Sequence, residues 1–230
     1  MELVKMKKEI FREYDIRGIY PTELDINGAY TFGRSFASYI EEKKVIIGYD
    51  NRESSLPLHE ALVAGLMESG AQILDLGLVT TPMYYFAKKK FNYTNGIMIT
   101  ASHNPREYNG FKISFDKIGN AFGKTIQDFY DYTSKLDFKT LEGSIDFYNI
   151  REDYLNNFKN SINLGPKKIK VVIDCGNGTG SVIVHDIMNM FDIDCEFLYC
   201  DSDPRFPNHH PDPAVKENNI DLAKNSFSIF

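Results

Sequence analysis

The feature that most constrains the fold is the alternation of short apolar runs with helical segments over the first hundred residues. Three such runs are "KVIIGYD" (44–50), "AQILDLGLV" (71–79) and "GIMITA" (96–101). Short apolar runs that end in polar or turn residues are typical of buried strands. Because helical segments separate these strands, the sequence predicts right-handed crossovers and a parallel sheet.

The helical segments carry signals at their ends. We predict helices over 26–40, 56–70, 80–90 and 124–136. The first has apolar residues at three- and four-residue spacing. Gly70 suits the C-terminal cap of the second. The third is predicted to begin with Thr81 as its N-cap and Pro82 at the first helical position.

A fourth strand, "GFKISF" (110–115), follows the third after a segment too short for a crossover helix. It is therefore predicted to run antiparallel to the third strand. The expected fold is an α/β protein. Residues 1–150 are expected to form a three-layer α/β/α domain with a mostly parallel four-stranded sheet. Residues 137–152, at the end of this domain, are interpreted as a weakly patterned connector.

Residues 151–230 are predicted to be an incomplete second domain of the same kind. Its predicted elements are helix 152–162, strand 168–175, helix 180–191 and strand 195–200. Two strands are too few for a stable sheet, so we expect this part to be only marginally stable by itself. The sequence stops at Phe230, where a helix is expected to be under way, and this indicates a truncated chain.

Charge and apolar patterning exclude some classes of function. The net charge is -6, which argues against a nucleic-acid surface. No apolar run approaches the roughly 18 residues that a membrane span needs. Cys175, Cys195 and Cys200 have no metal-ligand spacing and are interpreted as reduced thiols. We therefore expect a cytoplasmic protein that binds neither nucleic acid nor membrane.

The segment "GIMITASHNPREYNGFKI" (96–113) carries the most informative polar residues. Ser102 and His103 lie just past the third strand, at the sheet edge where α/β proteins bind ligands. Lys112 alternates with Phe111 and Ile113, so it points to the opposite face of its strand. A serine beside cationic groups suits phosphoryl chemistry.

From the residues alone, one other interpretation of this loop is open and another is excluded. Thr, Ser and Asn near a strand end are common turn and capping residues. A hydrolase nucleophile elbow would need Gly-x-Ser-x-Gly, and "TASHNP" has neither glycine. Short polar matches are frequent by accident, so the loop does not decide the function without further motifs.

Three motifs together resemble those of the α-D-phosphohexomutases, the family of phosphomannomutases and phosphoglucomutases. They are "FREYDIRG" (11–18), "TASHNPREYNGFKI" (100–113) and "FPNHHPDP" (206–213), with a looser match at "GYDNRESS" (48–55). The motifs come in the family's order and at about its spacing. The resemblance extends from residue 11 to about residue 222, and it corresponds to the N-terminal portion of family members.

The resemblance implies a reaction and its residues. Ser102 would carry a phosphate that passes to a hexose 1- or 6-phosphate, of mannose or glucose, and returns from a hexose 1,6-bisphosphate. A phosphate oxygen on Ser102 would be a ligand of Mg²⁺, and His103 and Lys112 would lie around the transferring group. The residues expected at the substrate or its phosphate are Tyr14, Arg17 and Asn104.

Several of these residues also have ordinary structural interpretations. Arg17 could form only an ion pair with Asp15, and the ring of Tyr14 could be packed. Arg52 could be either a surface salt bridge or a support for the phosphate. The sequence leaves these alternatives open.

Two other motifs suggest different chemistry. "DCGNGTG" (174–180) resembles a dinucleotide-binding loop, but its glycines lack the Gly-x-Gly-x-x-Gly spacing, so a tight strand-to-helix turn is the favoured interpretation over NAD binding. The adjacent His209 and His210 point apart in an extended segment, which argues against a shared metal. We expect "PNHHPDP" to form a stiff loop near the cleft without a catalytic role.

The sequence also departs from the family. It has no Asp-Gly-Asp-Gly-Asp-Arg metal loop, no Gly-Glu-x-Ser-Gly sugar loop and no further phosphate-binding domain. We therefore expect the 230-residue chain to be nearly inactive as a mutase. The remaining alternatives are a fragment that binds phosphosugars without turnover and, less favoured, an NAD-dependent oxidoreductase.

Overall fold

The computed structural model describes the backbone of residues 1–228 and the side chains of residues 1–226. Phe230, where the sequence indicated a helix under way, lies outside the described residues. The chain forms a six-stranded sheet within residues 16–147 and a two-stranded sheet within residues 170–198. Below, residues 1–150 are called the first unit and residues 151–228 the second unit.

The large sheet is mixed. Its strands are β1 (Ile16–Ile19), β2 (Lys44–Tyr49), β3 (Gln72–Leu78), β4 (Asn95–Ile99), β5 (Tyr108–Phe115) and β6 (Ser144–Phe147), in the order β1-β5-β4-β2-β3-β6. Strands β4, β2, β3 and β6 run parallel, and β5 is antiparallel to β4 as predicted. The predicted α/β class is confirmed.

The predicted number of strands is wrong, because the sheet has six strands instead of four. The two additional strands, β1 and β6, have four residues each and lie at the two edges. Strand β1 pairs antiparallel with β5, and β6 lies inside the segment predicted as a connector. Such short runs carry little periodicity of their own, and their pairing depends on the edge of a sheet that already exists.

Helices cover both faces of the large sheet. They are α1 (Ile26–Tyr39), α2 (Ser55–Glu68), α3 (Thr81–Lys90), α4 (Lys124–Thr133) and α5 (Arg151–Ser161). Val45 and Ile47 face the core under α1, α2 and α4, whereas Ile46 faces the core under α3. Successive residues of β2 thus serve opposite layers, as the pleat requires.

The ends of the helices follow their sequence signals with one correction. Gly70 has φ +84° directly after α2, in the left-handed region that suits a C-terminal glycine. The N-cap of α3 is Thr80 and not Thr81 as predicted, because the Thr80 hydroxyl accepts the Met83 N–H at 3.3 Å. Since Thr80 is extended, its side chain can turn back over the first turn.

The second unit is built around the parallel pair β7 (Lys170–Asp174) and β8 (Asp194–Leu198). Besides α5, which packs on the first unit, its helices are α6 (Val184–Met190) and α7 (Ile220–Ser228). The predicted helix over 180–191 begins instead as a 3-10 turn at Thr179–Val182. Helix α5 packs on α3 through Phe86 and Tyr154, so the boundary at residue 150 stays a prediction.

No helix among residues 1–228 is long and apolar enough to cross a membrane.

Candidate functional site

The Ser102 loop, residues 100–107, lies between the carboxyl end of β4 and the start of β5. The Thr100 N–H donates to the Gly110 carbonyl at 3.0 Å, which joins the loop to β5. Gly110 itself lies so close to β1 that a Cβ there would be 1.9 Å from the Ile16 oxygen. The glycine of the "YNGFK" motif is therefore required for β1, β5 and the loop to approach each other.

Ser102 has a strained backbone and an exposed side chain. Its φ is 55°, a left-handed conformation that costs a non-glycine residue on the order of 1 kcal/mol or more. The Ser102 N–H donates to Thr100 Oγ1 at 2.8 Å. The hydroxyl lies 3.3 Å from Nδ1 of His103, and both side chains are exposed. The hydroxyl is thus available to a reactant, with an imidazole beside it.

Arg17 connects the N-terminal segment to the Ser102 loop. Strand β1 places it opposite Gly110, and its Nη1 donates to Oδ1 of Asn104 at 2.6 Å. Its Nη2 donates to the Asp15 carboxylate. The ion-pair interpretation of Arg17 is therefore confirmed, and the same side chain also reaches the loop. Phosphate binding by Arg17 stays a prediction. Its Nε is buried without a hydrogen-bond partner in residues 1–228.

Lys112 joins the same group of charges. Its Nζ lies 3.8 Å from Oδ2 of Asp15, and its neighbours Phe111 and Ile113 are buried in the core, as the strand alternation predicted. Two cations, Lys112 and Arg17, thus share one carboxylate next to the loop. A phosphate near this site would meet more positive than negative charge from these three side chains.

Tyr14 is 69% exposed. The packed-ring interpretation is therefore wrong. A contact with substrate stays a prediction, since the exposed ring is available but nothing positions it against Ser102.

Sequence reasoning did not find the role of Arg52. The side chain is buried, and its guanidinium donates to backbone carbonyls of the Ser102 loop, including those of Ser102 and Asn104, each at 2.8 Å. The surface salt bridge interpretation is wrong, because Arg52 is buried. Support for the phosphate stays a prediction. Burial lowers the pKa of the Arg52 guanidinium, and the Asp50 carboxylate opposes that effect. The available signal was its position just after β2, at the same sheet edge as Ser102.

Buried polar side chains hold the start of α2 against β5, next to the Ser102 loop. The Asp50 Oδ1 accepts the Ser55 hydroxyl at 2.5 Å. The fully buried Asn109 donates from Nδ2 to the hydroxyls of Ser54 and Ser55 at 2.9 and 3.0 Å. These bonds fix the start of α2 against β5, beneath the loop.

The glycine loop of the second unit contacts the first unit. Gly176 and Asn177 adopt positive φ of 51° and 56°, which forms the tight turn favoured by the sequence. The Asn177 carbonyl accepts the side-chain amide of Asn51 at 2.8 Å. Because a Cβ on Gly176 would lie 3.0 Å from the His209 ring, the loop is also covered by the "PNHHPDP" segment.

The two adjacent histidines have different surroundings. His209 Nε2 lies 3.1 Å from the Asp174 carboxylate, whereas His210 is exposed. In residues 1–228, no three or more His, Cys, Asp or Glu side chains are grouped to hold a metal ion. The described residues therefore do not by themselves form a magnesium site.

The three cysteines are free, as predicted. Cys175 and Cys200 place their sulfurs 3.2 Å apart. Burial, followed by the contact with Cys200, raises the pKa of the Cys175 thiol to about 12. A thiol with such a pKa is a poor nucleophile near neutral pH.

Comparisons with known proteins give a consistent result. The family model for phosphoglucomutase/phosphomannomutase, alpha/beta/alpha domain I, matches residues 8–139, and the model for domain II matches residues 152–227. A phosphomannomutase/phosphoglucomutase of Pseudomonas syringae pv. tomato is 38% identical over 218 residues, which cover 93% of this chain and 46% of that protein. A phosphoglucomutase of Neisseria gonorrhoeae is 36% identical over 225 residues, covering 96% and 48%.

A solved structure supports the same relationship. A phosphoglucomutase/phosphomannomutase family protein from Burkholderia thailandensis superimposes with a TM-score of 0.87 at 32% identity. The match covers 96% of this chain and 50% of that one. The chain spans about half the length of the curated relatives it matches.

Proposed function

Because the chain belongs to the phosphoglucomutase/phosphomannomutase family, we propose that Ser102 carries the phosphate in an isomerisation of hexose phosphates. The observation that supports this most directly is the Ser102 loop, with an exposed hydroxyl on a fixed backbone beside the cations Arg17 and Lys112. Phosphoryl transfer depends mainly on positioning and charge stabilisation, and this arrangement offers both.

The proposed reaction has two transfers. A free hydroxyl of a hexose 6-phosphate or 1-phosphate attacks the phosphorus on Ser102, the phosphorus–Oγ bond breaks, and the hydroxyl proton passes to a nearby base. The product is a hexose 1,6-bisphosphate. After it turns around in the site, the Ser102 oxygen attacks its other phosphate, and the released hexose phosphate carries its phosphate at the other position. Phosphate and protons balance over the cycle.

The neighbouring side chains receive separate roles in this proposal. Lys112 and Arg17 offset the charge that develops on the phosphoryl oxygens, and His103, next to Ser102, handles the proton together with Lys112. Asn104 orients Arg17 through the bond between its Oδ1 and Nη1. Tyr14, whose ring is exposed, is proposed to contact the sugar.

The described residues account for only one possible ligand of a magnesium ion. A phosphate on Ser102 would supply an oxygen ligand, but residues 1–228 offer no cluster of acidic or histidine ligands to complete the site. We therefore assign no step to the metal. For the same reason we expect the 230-residue chain to show little complete mutase turnover.

The test is phosphate capture at Ser102. The purified protein is incubated with glucose 1,6-bisphosphate or mannose 1,6-bisphosphate, and peptide mass spectrometry measures phosphate on the Ser102 peptide. We expect capture by the unaltered protein, none by Ser102→Ala, and normal capture by Ser161→Ala, which alters an exposed serine on α5. Binding of the sugar phosphate without capture would instead support a non-catalytic binding protein.

A further inference from the structure

We propose that Arg52 is a positioning residue that holds Ser102 in the conformation needed for phosphoryl transfer. The inference rests on the proposed function of Ser102. Arg52 does not touch the hydroxyl of Ser102. It acts through the backbone: it donates three hydrogen bonds to carbonyls of the loop and one to the carbonyl of Tyr108 at the start of β5.

Every N–H of the Arg52 guanidinium has an acceptor. An arginine side chain carries five such donors in a planar fork. Here their acceptors are a carboxylate oxygen of Asp50 and the carbonyl oxygens of Ser102, Asn104, Pro105 and Tyr108, at distances from 2.8 to 3.2 Å. One buried cation thus fixes the loop from its first turn to the start of β5.

These bonds complete the control of the Ser102 backbone. The N–H of Ser102 is held by Thr100 Oγ1 and its carbonyl by Arg52 Nη2, each at 2.8 Å. With both peptide groups fixed, the left-handed φ of 55° is maintained and the direction of the Cα–Cβ bond is set. The serine oxygen therefore has a defined position before any reactant arrives, which is the condition for efficient transfer.

The guanidinium also controls where the loop carbonyls point. A carbonyl oxygen carries partial negative charge and would repel a phosphate that it faced. Three carbonyls of this loop, and that of Tyr108 at the start of β5, are directed at Arg52 instead. A lysine in the same place has three donors on one nitrogen and could not reach acceptors on both sides of a planar fork.

The second unit takes part through Phe206. Its ring lies over the Arg52 guanidinium, with 5.6 Å between the ring centroid and Cζ. Cation–π contacts of this kind are favourable and help to exclude water from the cation. Arg52 therefore links the Ser102 loop of the first unit to residues 203–210 of the second.

A second buried arginine provides a matched control. Arg34 is also buried, and it donates to Ser69 Oγ, the Tyr30 hydroxyl, Glu68 and Thr140 at the crossing of α1 and α2. None of these partners belongs to the Ser102 loop. Arg34→Lys and Arg52→Lys thus remove comparable buried hydrogen bonds, but only the second alters the loop.

The test compares these two variants at a temperature at which both are folded. Initial rates of phosphate capture at Ser102 are measured over a range of glucose 1,6-bisphosphate concentrations. We expect Arg52→Lys to lower the maximal capture rate at least tenfold with a smaller change in the half-saturating concentration, and Arg34→Lys to leave both within about twofold. Capture by Arg52→Lys at the unaltered rate, or an equal loss in both variants, would overturn the proposal.

Hydrogen exchange supplies a readout that needs no reactant. We expect the hydrogen-bonded amides of segment 102–108, those of Ser102, Asn104 and Tyr108, to exchange at least tenfold faster in Arg52→Lys and at the unaltered rate in Arg34→Lys. Equal exchange of this segment in the two variants would contradict a positioning role. If the unaltered protein captures no phosphate, the proposed function fails, while this measurement still decides whether Arg52 holds the loop.

Discussion

Asn51 and Thr179, from different units of the protein, form two hydrogen bonds with each other. The Asn51 N–H donates to Thr179 Oγ1 at 3.1 Å, and the Thr179 hydroxyl donates back to Asn51 Oδ1 at 3.0 Å. The Asn51 amide nitrogen also donates to the Asn177 carbonyl and to Ser202 Oγ. Asn51 lies two residues after the end of β2, so it connects the glycine loop of the second unit to the sheet edge that carries Ser102.

Asn51→Ala should weaken the attachment of the second unit. Each lost hydrogen bond is worth about 1 kcal/mol, and the second unit has few buried residues of its own. We expect the amides of β7 and β8 to lose roughly tenfold or more of their protection from hydrogen exchange, while β4 stays unchanged. Asn160→Ala, on exposed α5, is the control. If the amides of β7 and β4 were equally protected from hydrogen exchange in the unaltered protein, the second unit would not be marginally stable.

Thr80→Ala should destabilise the protein by about 1 kcal/mol, because it removes the acceptor for the Met83 N–H at the start of α3. Thr81→Ala, one residue later, removes a hydroxyl of the same chemistry without removing that cap, and we expect a change within about 0.5 kcal/mol. Urea unfolding measures both. A larger loss of stability in Thr81→Ala than in Thr80→Ala would instead support Thr81 as the N-cap, as the sequence predicted.

Gly65→Ala should destabilise the crossing of α1 and α2. A Cβ on Gly65 would lie 2.2 Å from the Tyr30 carbonyl oxygen, and backbone cannot move aside at low cost. We expect a loss of at least about 1–3 kcal/mol in the free energy of unfolding. Gly28→Ala is the matched control in α1, since its Cβ would meet its nearest atom at 3.4 Å. There we expect no loss, or a gain of up to about 1 kcal/mol; equal losses at both glycines would exclude the steric explanation.

Asp203 should stay ionised to unusually low pH. Hydrogen bonds from the side chain and the backbone of Arg205 lower the pKa of the Asp203 carboxyl to about 2. A carboxyl with a depressed pKa in the folded state contributes stability above its ordinary pKa near 3.8, and that stability is lost as the pH falls toward 2. NMR titration of the carboxyl measures the pKa directly. In Arg205→Gln we expect it to rise toward its ordinary value; an unchanged pKa would mean that Arg205 is not the cause.

The strands and helices that sequence reasoning found share a strong local pattern. Strands β2, β3 and β4 are continuous apolar runs, and their pattern is visible because both faces of the sheet are covered. The antiparallel direction of β5 followed from the short loop before it. By contrast, β1 and β6 are four-residue edge strands, and nothing in their own residues distinguishes them from loops.

The site divides in the same way. Ser102, His103 and Asn104 are contiguous, and Lys112 lies on the next strand, so a local motif was enough to bring them together. The position of Arg17 at the site depends on β1, which pairs with β5 although the two strands are far apart along the chain. Its ion pair with Asp15, one of the alternatives from the sequence, forms together with a bond to Asn104 that the sequence did not predict.

The sequence by itself determined the α/β class, the order of the main elements and the identity of the Ser102 loop, because periodicity and contiguous motifs are local properties. Only the tertiary structure decided the role of Arg52. Its acceptors in the loop and at Tyr108 lie 50 to 56 residues further along the chain, and they are backbone carbonyls, which every residue type possesses. No pattern of side chains can reveal such partners, and they meet Arg52 only when parallel strands β2 and β4 bring their carboxyl ends to one edge of the sheet.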